Sequence, residues 1–367
     1  IHDIETMNAI REALDEVDPS IIIYGEGWTS GDSTLDSTQR ALKANTKNLT
    51  NIAAFSDDIR DALKGNVFDA LDKGFVSGKE GMENDIKYSV VGSTENEQVD
   101  YDAYEKSNGA WSPSPSQTIN YVSCHDNYTL WDKLATSNPE DSVEDRIKMN
   151  NLASAIVFTS QGIPFIQAGE EMLRSKPLED GTYSSNSYNL SDKVNSLKWD
   201  DLSKYQEVYN YYKGLIAFRK AHGAFRMTST EEVQNNLKFV DGLDANVVAY
   251  TIDNSPNGET AESVFVVYNA NKEAVSVTLP EGNWDVYVNG EKAGTEVLDT
   301  VSGKVEVSGI SAMVLTKGNA PASAVSNGDA ASASSTIGNI VPIAVGAFVI
   351  VIIALAVVYA VFFKKKK

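Results

Sequence analysis

The chain has 367 residues, 42% of them hydrophobic, enough for two or three domains and a sizeable core. Its net charge of −20, without a basic stripe, excludes a nucleic-acid surface and fits a body working on a neutral substrate, although acidity serves plain solubility equally well. The single cysteine, Cys124, rules out an internal disulfide framework or a Cys/His zinc pattern, and His2, His125 and His222 are too scattered to indicate a metal site.

The first residue is Ile1, with no initiator Met and no signal-peptide pattern. The sequence opens on a helix pattern without a capped start, Met7, Ile10, Leu14 and Val17 recurring at helical spacing. Ile21 to Tyr24 reads as a short buried strand, followed at once by Gly25-Glu26-Gly27-Trp28. Phe68-Asp69-Ala70-Leu71 is assigned to another apolar segment. Ile119 to Ser123 reads as a strand whose end is crowded by Cys124-His125-Asp126-Asn127. Glu144 to Thr159 is helical, Gly162 to Gly169 is strand plus turn, and Tyr205 to His222 is a closing amphipathic helix. Alternating β and α elements over residues 1–223 predict a parallel sheet covered by helices. Polar groups at strand ends suit a (β/α)8 TIM barrel, of which about half the strands are here.

Residues 224–318 alternate as strands do, in Asn246–Ile252, Ser263–Asn269, Val275–Leu279, Trp284–Val288 and Ser311–Leu315. Turn signals such as Pro280-Glu281-Gly282-Asn283 and Asn289-Gly290 separate them, predicting an antiparallel β-sandwich domain. Residues 319–339, rich in Ala, Ser, Asn and Gly, read as a flexible linker. Ile340 to Phe363 is an uncharged, nearly all-apolar run followed by Lys364 to Lys367. It predicts a C-terminal transmembrane helix with a cytoplasmic basic tail, and therefore an extracellular, cell-surface body. A cell-wall sorting signal would need an upstream Leu-Pro-x-Thr-Gly, which is not found, so a retained span is favoured.

Two carboxylates at strand ends are what a glycosidase presents to a sugar. An acid protonates the leaving oxygen, and retaining enzymes add a carboxylate nucleophile about 5–5.5 Å away. The glycines around Glu26 permit close backbone approach to a ligand. A carboxyl walled by Trp28 would hold its proton near neutral pH. An ionised Asp126 would stabilise an oxocarbenium ion, and His125 would donate to a sugar hydroxyl. Taken singly, Gly-Glu-Gly-Trp is equally a loop glutamate beside a packing tryptophan, and His-Asp-Asn equally a turn.

In order and content the motifs resemble the α-amylase superfamily of glycoside hydrolases (family 13) and, within it, the type I pullulanases. The segments carrying the resemblance are Tyr24–Trp28, Ser56–Gly65, Tyr121–Asp132, Gly162–Lys176 and Ser187–Asn195, across roughly residues 1–318. It implies that Glu26 is the acid/base, that Asp126 stabilises the transition state, and that His125 bonds sugar hydroxyls. Trp28 becomes an aromatic platform of the leaving-group subsite. Asn127, Asn189, Asp192 and Asn195 are further candidates for cleft contacts, although local turn bonding accounts for them as well. The family's nucleophile, in an Arg-x-Asp motif, would precede Ile1, and no Asp of this chain takes that role; Asp3 belongs to the helix entry. Cys124 departs from the family pattern and reads as a buried, inert thiol. The implied activity is retaining hydrolysis of α-1,6 linkages in pullulan, glycogen or starch dextrins, with the chain alone expected to be inactive. The alternatives are another superfamily member acting on α-1,4-glucan by hydrolysis or chain transfer, and a non-catalytic membrane-anchored glucan-binding protein. The expected partners are an α-glucan and a membrane. No organic cofactor is implied, and a structural Ca2+ is allowed without named ligands.

Overall fold

The computed structural model describes residues 2–318, apart from residues 30, 104–108, 255 and 256. The first helix, α1 (Ile4–Asp15), does have a capped start: the Asp3 carboxylate accepts the Thr6 N–H at 2.7 Å. α1 buries Arg11 rather than its apolar stripe. Arg11 donates to Ile21 O at 2.5 Å and pairs with Asp15 at 2.6 Å, while Ile10 and Val17 stay exposed.

β1 (Ile23–Gly25), β2 (Ile52–Phe55), β3 (Thr118–Asn120) and β4 (Ile163–Pro164) form a parallel sheet in sequence order. Gly25 lies opposite Ala54, Phe55 opposite Ile119, and Asn120 opposite Pro164, so the strand ends face the same way, each stepping one residue from β1 to β2 and from β2 to β3. Each strand, or the residue directly after it, sends one ring to a shared aromatic layer. Phe55 meets Tyr24, Tyr121 and Phe165 edge-on, at 5.6, 4.9 and 5.2 Å between centroids. Helices α2 (Asp57–Lys64), α3 (Glu83–Val90), α4 (Leu130–Ser137) and α5 (Val143–Thr159) fill the connections. Two short helices, α6 (Asp192–Asn195) and α7 (Asp200–Lys204), lead to α8 (Gln206–Ala221). Strand–helix alternation with neighbouring strands parallel is the order of a (β/α) barrel, here four strands wide.

Phe68 and Leu71, expected in an apolar segment, are 88% and 69% exposed. They sit in turns made by the Asn66 and Asp69 side chains, which accept the N–H groups of Phe68 and Leu71. Residues 224–236, expected among strands, hold none: an irregular stretch leads to α9 (Thr230–Asn236), which starts from a capping box of Ser229 and Glu232.

The remaining strands are β5 (Leu237–Phe239), β6 (Val247–Asp253), β7 (Ser263–Asn269), β8 (Val275–Thr278), β9 (Trp284–Val288), β10 (Asp299–Val301), β11 (Lys304–Val307) and β12 (Ser311–Lys317). They form an antiparallel sheet ordered β10-β9-β12-β7-β6-β5 and a two-stranded sheet of β11 and β8. The period-2 pattern splits the large sheet between two cores. Val248, Tyr250 and Ile252 join Leu152, Ile156 and Leu215 of α5 and α8 in one core. Val247, Ala249 and Phe265 face Val277 and Val305 of the small sheet in the other. The β-sheets and the barrel helices therefore form one compact unit. At their contact Gly214 of α8 lies so close to the Ala293 carbonyl that a Cβ there would come within 1.9 Å of the oxygen.

A buried histidine–carboxylate hydrogen bond adds to this junction. His222 Nδ1 lies 3.0 Å from Glu259 Oε1, and the same carboxylate accepts from Ala224 N and Ala261 N. Burial opposes ionisation of Glu259, but the His222 bond and the backbone N–H groups outweigh it and hold the carboxyl at about 2, below its ordinary 4.5. Its stabilisation is complete above pH 4.5 and is lost as pH falls toward 2. Glu259→Gln is expected to lower stability by about 2–3 kcal/mol at pH 7, the gap to wild type closing through that window. Urea titrations at both ends of the window check it; a gap independent of pH contradicts it.

The expected linker, span and basic tail, residues 319–367, lie outside the described residues. Among the described residues no helix is long and apolar enough to cross a membrane.

Candidate functional site

The row of strand ends carries the candidate site. β1 ends at Gly25, which puts Glu26 at the rim. Gly27 then turns the chain against Lys43, whose N–H donates to Gly27 O at 2.6 Å; a Cβ on Gly27 would lie 2.6 Å from that nitrogen. Lys43 also pairs with Asp57 and, at 3.1 Å, with Asp58, so the loops after β1 and β2 are tied together. Glu26 is exposed and Trp28 half-buried, so the tryptophan does not wall the carboxyl in as expected. Both line a cavity of about 530 Å3 that also meets Tyr24, Met7 of α1 and Ala53 of β2.

Two strands away, the segment after β3 presents His125 and Asp126, 78% and 57% exposed, with Nε2 3.4 Å from Oδ1. Asn127 follows with φ 61°, a left-handed conformation that asparagine tolerates. The fold brings Glu26, His125 and Asp126 together: one carboxylate oxygen or ring nitrogen of each lies within 4.8 Å of the others. Residues one hundred positions apart thus meet over the mouth of the sheet, where an acid and a second carboxylate can flank one bond. An imidazole among the donors makes this a poor Ca2+ site, since that ion takes oxygen ligands.

The other candidates lie outside this trio. Asn195 Nδ2 donates to Ser187 O at 2.7 Å and Leu190 O at 3.0 Å, which commits its amide to its own loop. Asn189 and Asp192 are exposed on that loop, Asp192 opening α6. Arg174 holds the loop beside the segment after β4 by donating to Ala168 O and Asn195 O. Cys124 is half-buried rather than buried, and burial pushes its thiol up, away from the reactive thiolate.

Sequence reasoning missed the polar groups beneath the site. Glu170, from the turn after β4, is buried and accepts a hydrogen bond from the Tyr212 hydroxyl at 3.1 Å; burial pushes its carboxyl up to about 8. Asp132 of α4 accepts Ser175 Oγ at 2.5 Å and Lys176 N at 2.7 Å, and burial raises it too. Lys64 and Lys176 are 1% and 2% exposed. Both lie inside segments that carry the family resemblance, but nothing in the sequence shows their burial, because a buried lysine is written with the same letter as a surface one.

Paired carboxylates over the strand ends of a parallel α/β sheet, backed by an antiparallel β domain, define a glycosidase type of architecture. A family model described as "Pullulanase, all-beta domain" matches residues 233–292. The chain is 33% identical over 280 residues to the pullulanase of Bacillus subtilis, covering 76% of this chain and 37% of that protein. It is 35% identical over 215 residues to the chloroplastic pullulanase 1 of Arabidopsis thaliana, covering 49% and 22%. Among solved structures, the pullulanase from Bacillus acidopullulyticus superposes with a TM-score of 0.77 at 40% identity, over 86% of this chain and 36% of that one. The pullulanase from Paenibacillus barengoltzii in complex with maltohexaose and α-cyclodextrin gives 0.76 at 40% identity, over 86% and 46%. The chain is a type I pullulanase-like member of glycoside hydrolase family 13, and it spans less than half the length of these relatives.

Proposed function

We propose that the chain supplies the acid/base and one stabilising carboxylate of a retaining enzyme that hydrolyses α-1,6-glucosidic bonds in branched α-glucans. The observation that carries this is the meeting of Glu26, His125 and Asp126 within 4.8 Å at the strand ends. In the reaction, Glu26 protonates the glycosidic oxygen as an aspartate from outside residues 1–367 attacks C1. The bond to the leaving glucan breaks, and a glucosyl-enzyme forms. Asp126 faces the oxocarbenium-like transition state with its negative charge, and His125 donates to a sugar hydroxyl. Glu26, now ionised, takes a proton from water, which displaces the aspartate and restores the acid. Trp28 offers an apolar face to the C–H groups of the leaving glucan.

An open edge of the sheet supports an aspartate supplied from outside the chain. Among the described residues β1 is an edge strand, with Tyr24 48% exposed and Ile22 just before it 61%, and Ile10 of α1 is exposed as well. Such an edge invites a further strand. The apolar run of residues 340–363 and the four lysines after it support a surface-anchored enzyme with this part outside the cell. Protease added to intact cells would then cleave it, and full protection would contradict the anchoring.

The chain alone, mixed with pullulan, is expected to give no new reducing ends, while the longer protein that contains it gives them. Hydrolysis by the chain alone would overturn the placement of the nucleophile outside it.

A further inference from the structure

The turn that carries His125 and Asp126 projects into solvent, yet both its ends are gripped from below. Lys176, from the loop after β4, donates through Nζ to His125 O at 2.8 Å. Lys64, the last residue of α2, donates to Tyr128 O at 3.2 Å. The two lysines come from different elements, are almost completely buried, and meet the first and last carbonyls of one four-residue turn. Lysine is rarely buried without a partner, because removing an ammonium from water is costly. An apolar side chain of similar length would fill either space without that cost.

Lys176 is itself held in place. Its backbone N–H and the Ser175 hydroxyl both donate to Asp132, which is fully buried at the start of α4, the helix that follows the turn. Ser123 closes the base, accepting from Leu130 N at 3.1 Å and donating to Gln167 Oε1 at 2.8 Å. The turn, α4 and the loop after β4 thus form one hydrogen-bonded ring.

We propose that Lys64 and Lys176 are positioning residues: they clamp the His125–Tyr128 turn by its terminal carbonyls and so fix where Asp126 stands opposite Glu26. The proposal rests on the debranching function given above. The clamp works through the backbone and touches no substrate, so it governs the rate of the chemical step more than the binding of glucan.

The test uses the full-length protein that carries this chain, with pullulan as substrate. Lys176→Met and Lys64→Met are compared with Lys133→Met. Lys133 is a third buried lysine, which holds Asn66 O and Asp69 O instead. Lys176→Met is expected to lower kcat about 30- to 100-fold with KM within about threefold of wild type, and Lys64→Met about 10-fold. Lys133→Met, at an equal folded fraction, keeps kcat within about twofold. If both clamp variants behave as Lys133→Met does, the proposal is overturned; if one fails to fold, the other decides. A wild-type protein inactive on pullulan and on amylose overturns the debranching function instead. The clamp is then judged by the crystal structure of Lys176→Met: a displaced Asp126 supports it, and an unmoved turn overturns it.

Discussion

Glu26→Gln in the full-length protein is expected to lower kcat on pullulan by about 10³- to 10⁴-fold, the upper range for a general acid. The amide keeps the shape of the side chain, and Glu26 is exposed at the rim, so the fold is not at risk. The loss should be selective for the step that needs a proton. A glycosyl fluoride, whose leaving group departs unprotonated, should still form the glucosyl-enzyme with the variant, and slow hydrolysis of that intermediate should then limit the rate. Asp126→Asn removes charge rather than a proton and is expected to cost about 10²- to 10³-fold on both substrates. Steady-state rates on the two substrates check this. A Glu26→Gln variant within tenfold of wild type on pullulan would remove Glu26 from the acid role.

Arg219→Met is expected to have the largest effect on stability, a loss of about 3–5 kcal/mol. Arg219 of α8 is buried and donates to Phe158 O and Ser160 O, each at 2.8 Å, and to Gly162 O at 2.6 Å. Those carbonyls end α5 and lead into β4, so one guanidinium joins the C-terminus of a helix to the start of a strand. The positive charge also faces the negative end of the α5 dipole. Burial pushes the guanidinium down to about 10, which leaves it charged at neutral pH. Methionine would fill the space but leave the carbonyls without this donor. Against a total of about 5–15 kcal/mol for a domain, the loss is large. Urea denaturation at pH 7 reads it, and a change below about 1 kcal/mol would mean that water replaces the guanidinium at little cost.

The long central strands β6, β7 and β12 were legible because each buries both faces, against different partners, while the short β5, β10 and β11 passed unread. β6 sends Val248 and Tyr250 to one core and Val247 and Ala249 to the other, so it reads as a continuous apolar run bounded by turn signals. The parallel strands are only two to four residues long, too short for any period, and β2 passed unread as Ile52-Ala53-Ala54-Phe55. Phe68 and Leu71 misled for the opposite reason: apolar letters stand in a turn that Asn66 and Asp69 form by local hydrogen bonds. Glu26, His125 and Asp126 were legible from motif order, and the fold gathers them. What sequence could not supply is the support beneath them. Lys64, Lys176, Asp132 and Glu170 are charged residue types that normally face water, and only packing reveals that they are buried.

Identification of the products released from pullulan by the full-length protein tests the central claim most directly. Pullulan is maltotriose joined through α-1,6 bonds, so cleavage at those bonds alone releases maltotriose and its multiples. The account predicts maltotriose as the end product, with linear amylose left intact. Panose-type trisaccharides from pullulan, or new reducing ends from amylose, would show that Glu26 and Asp126 serve α-1,4 cleavage instead and would contradict it.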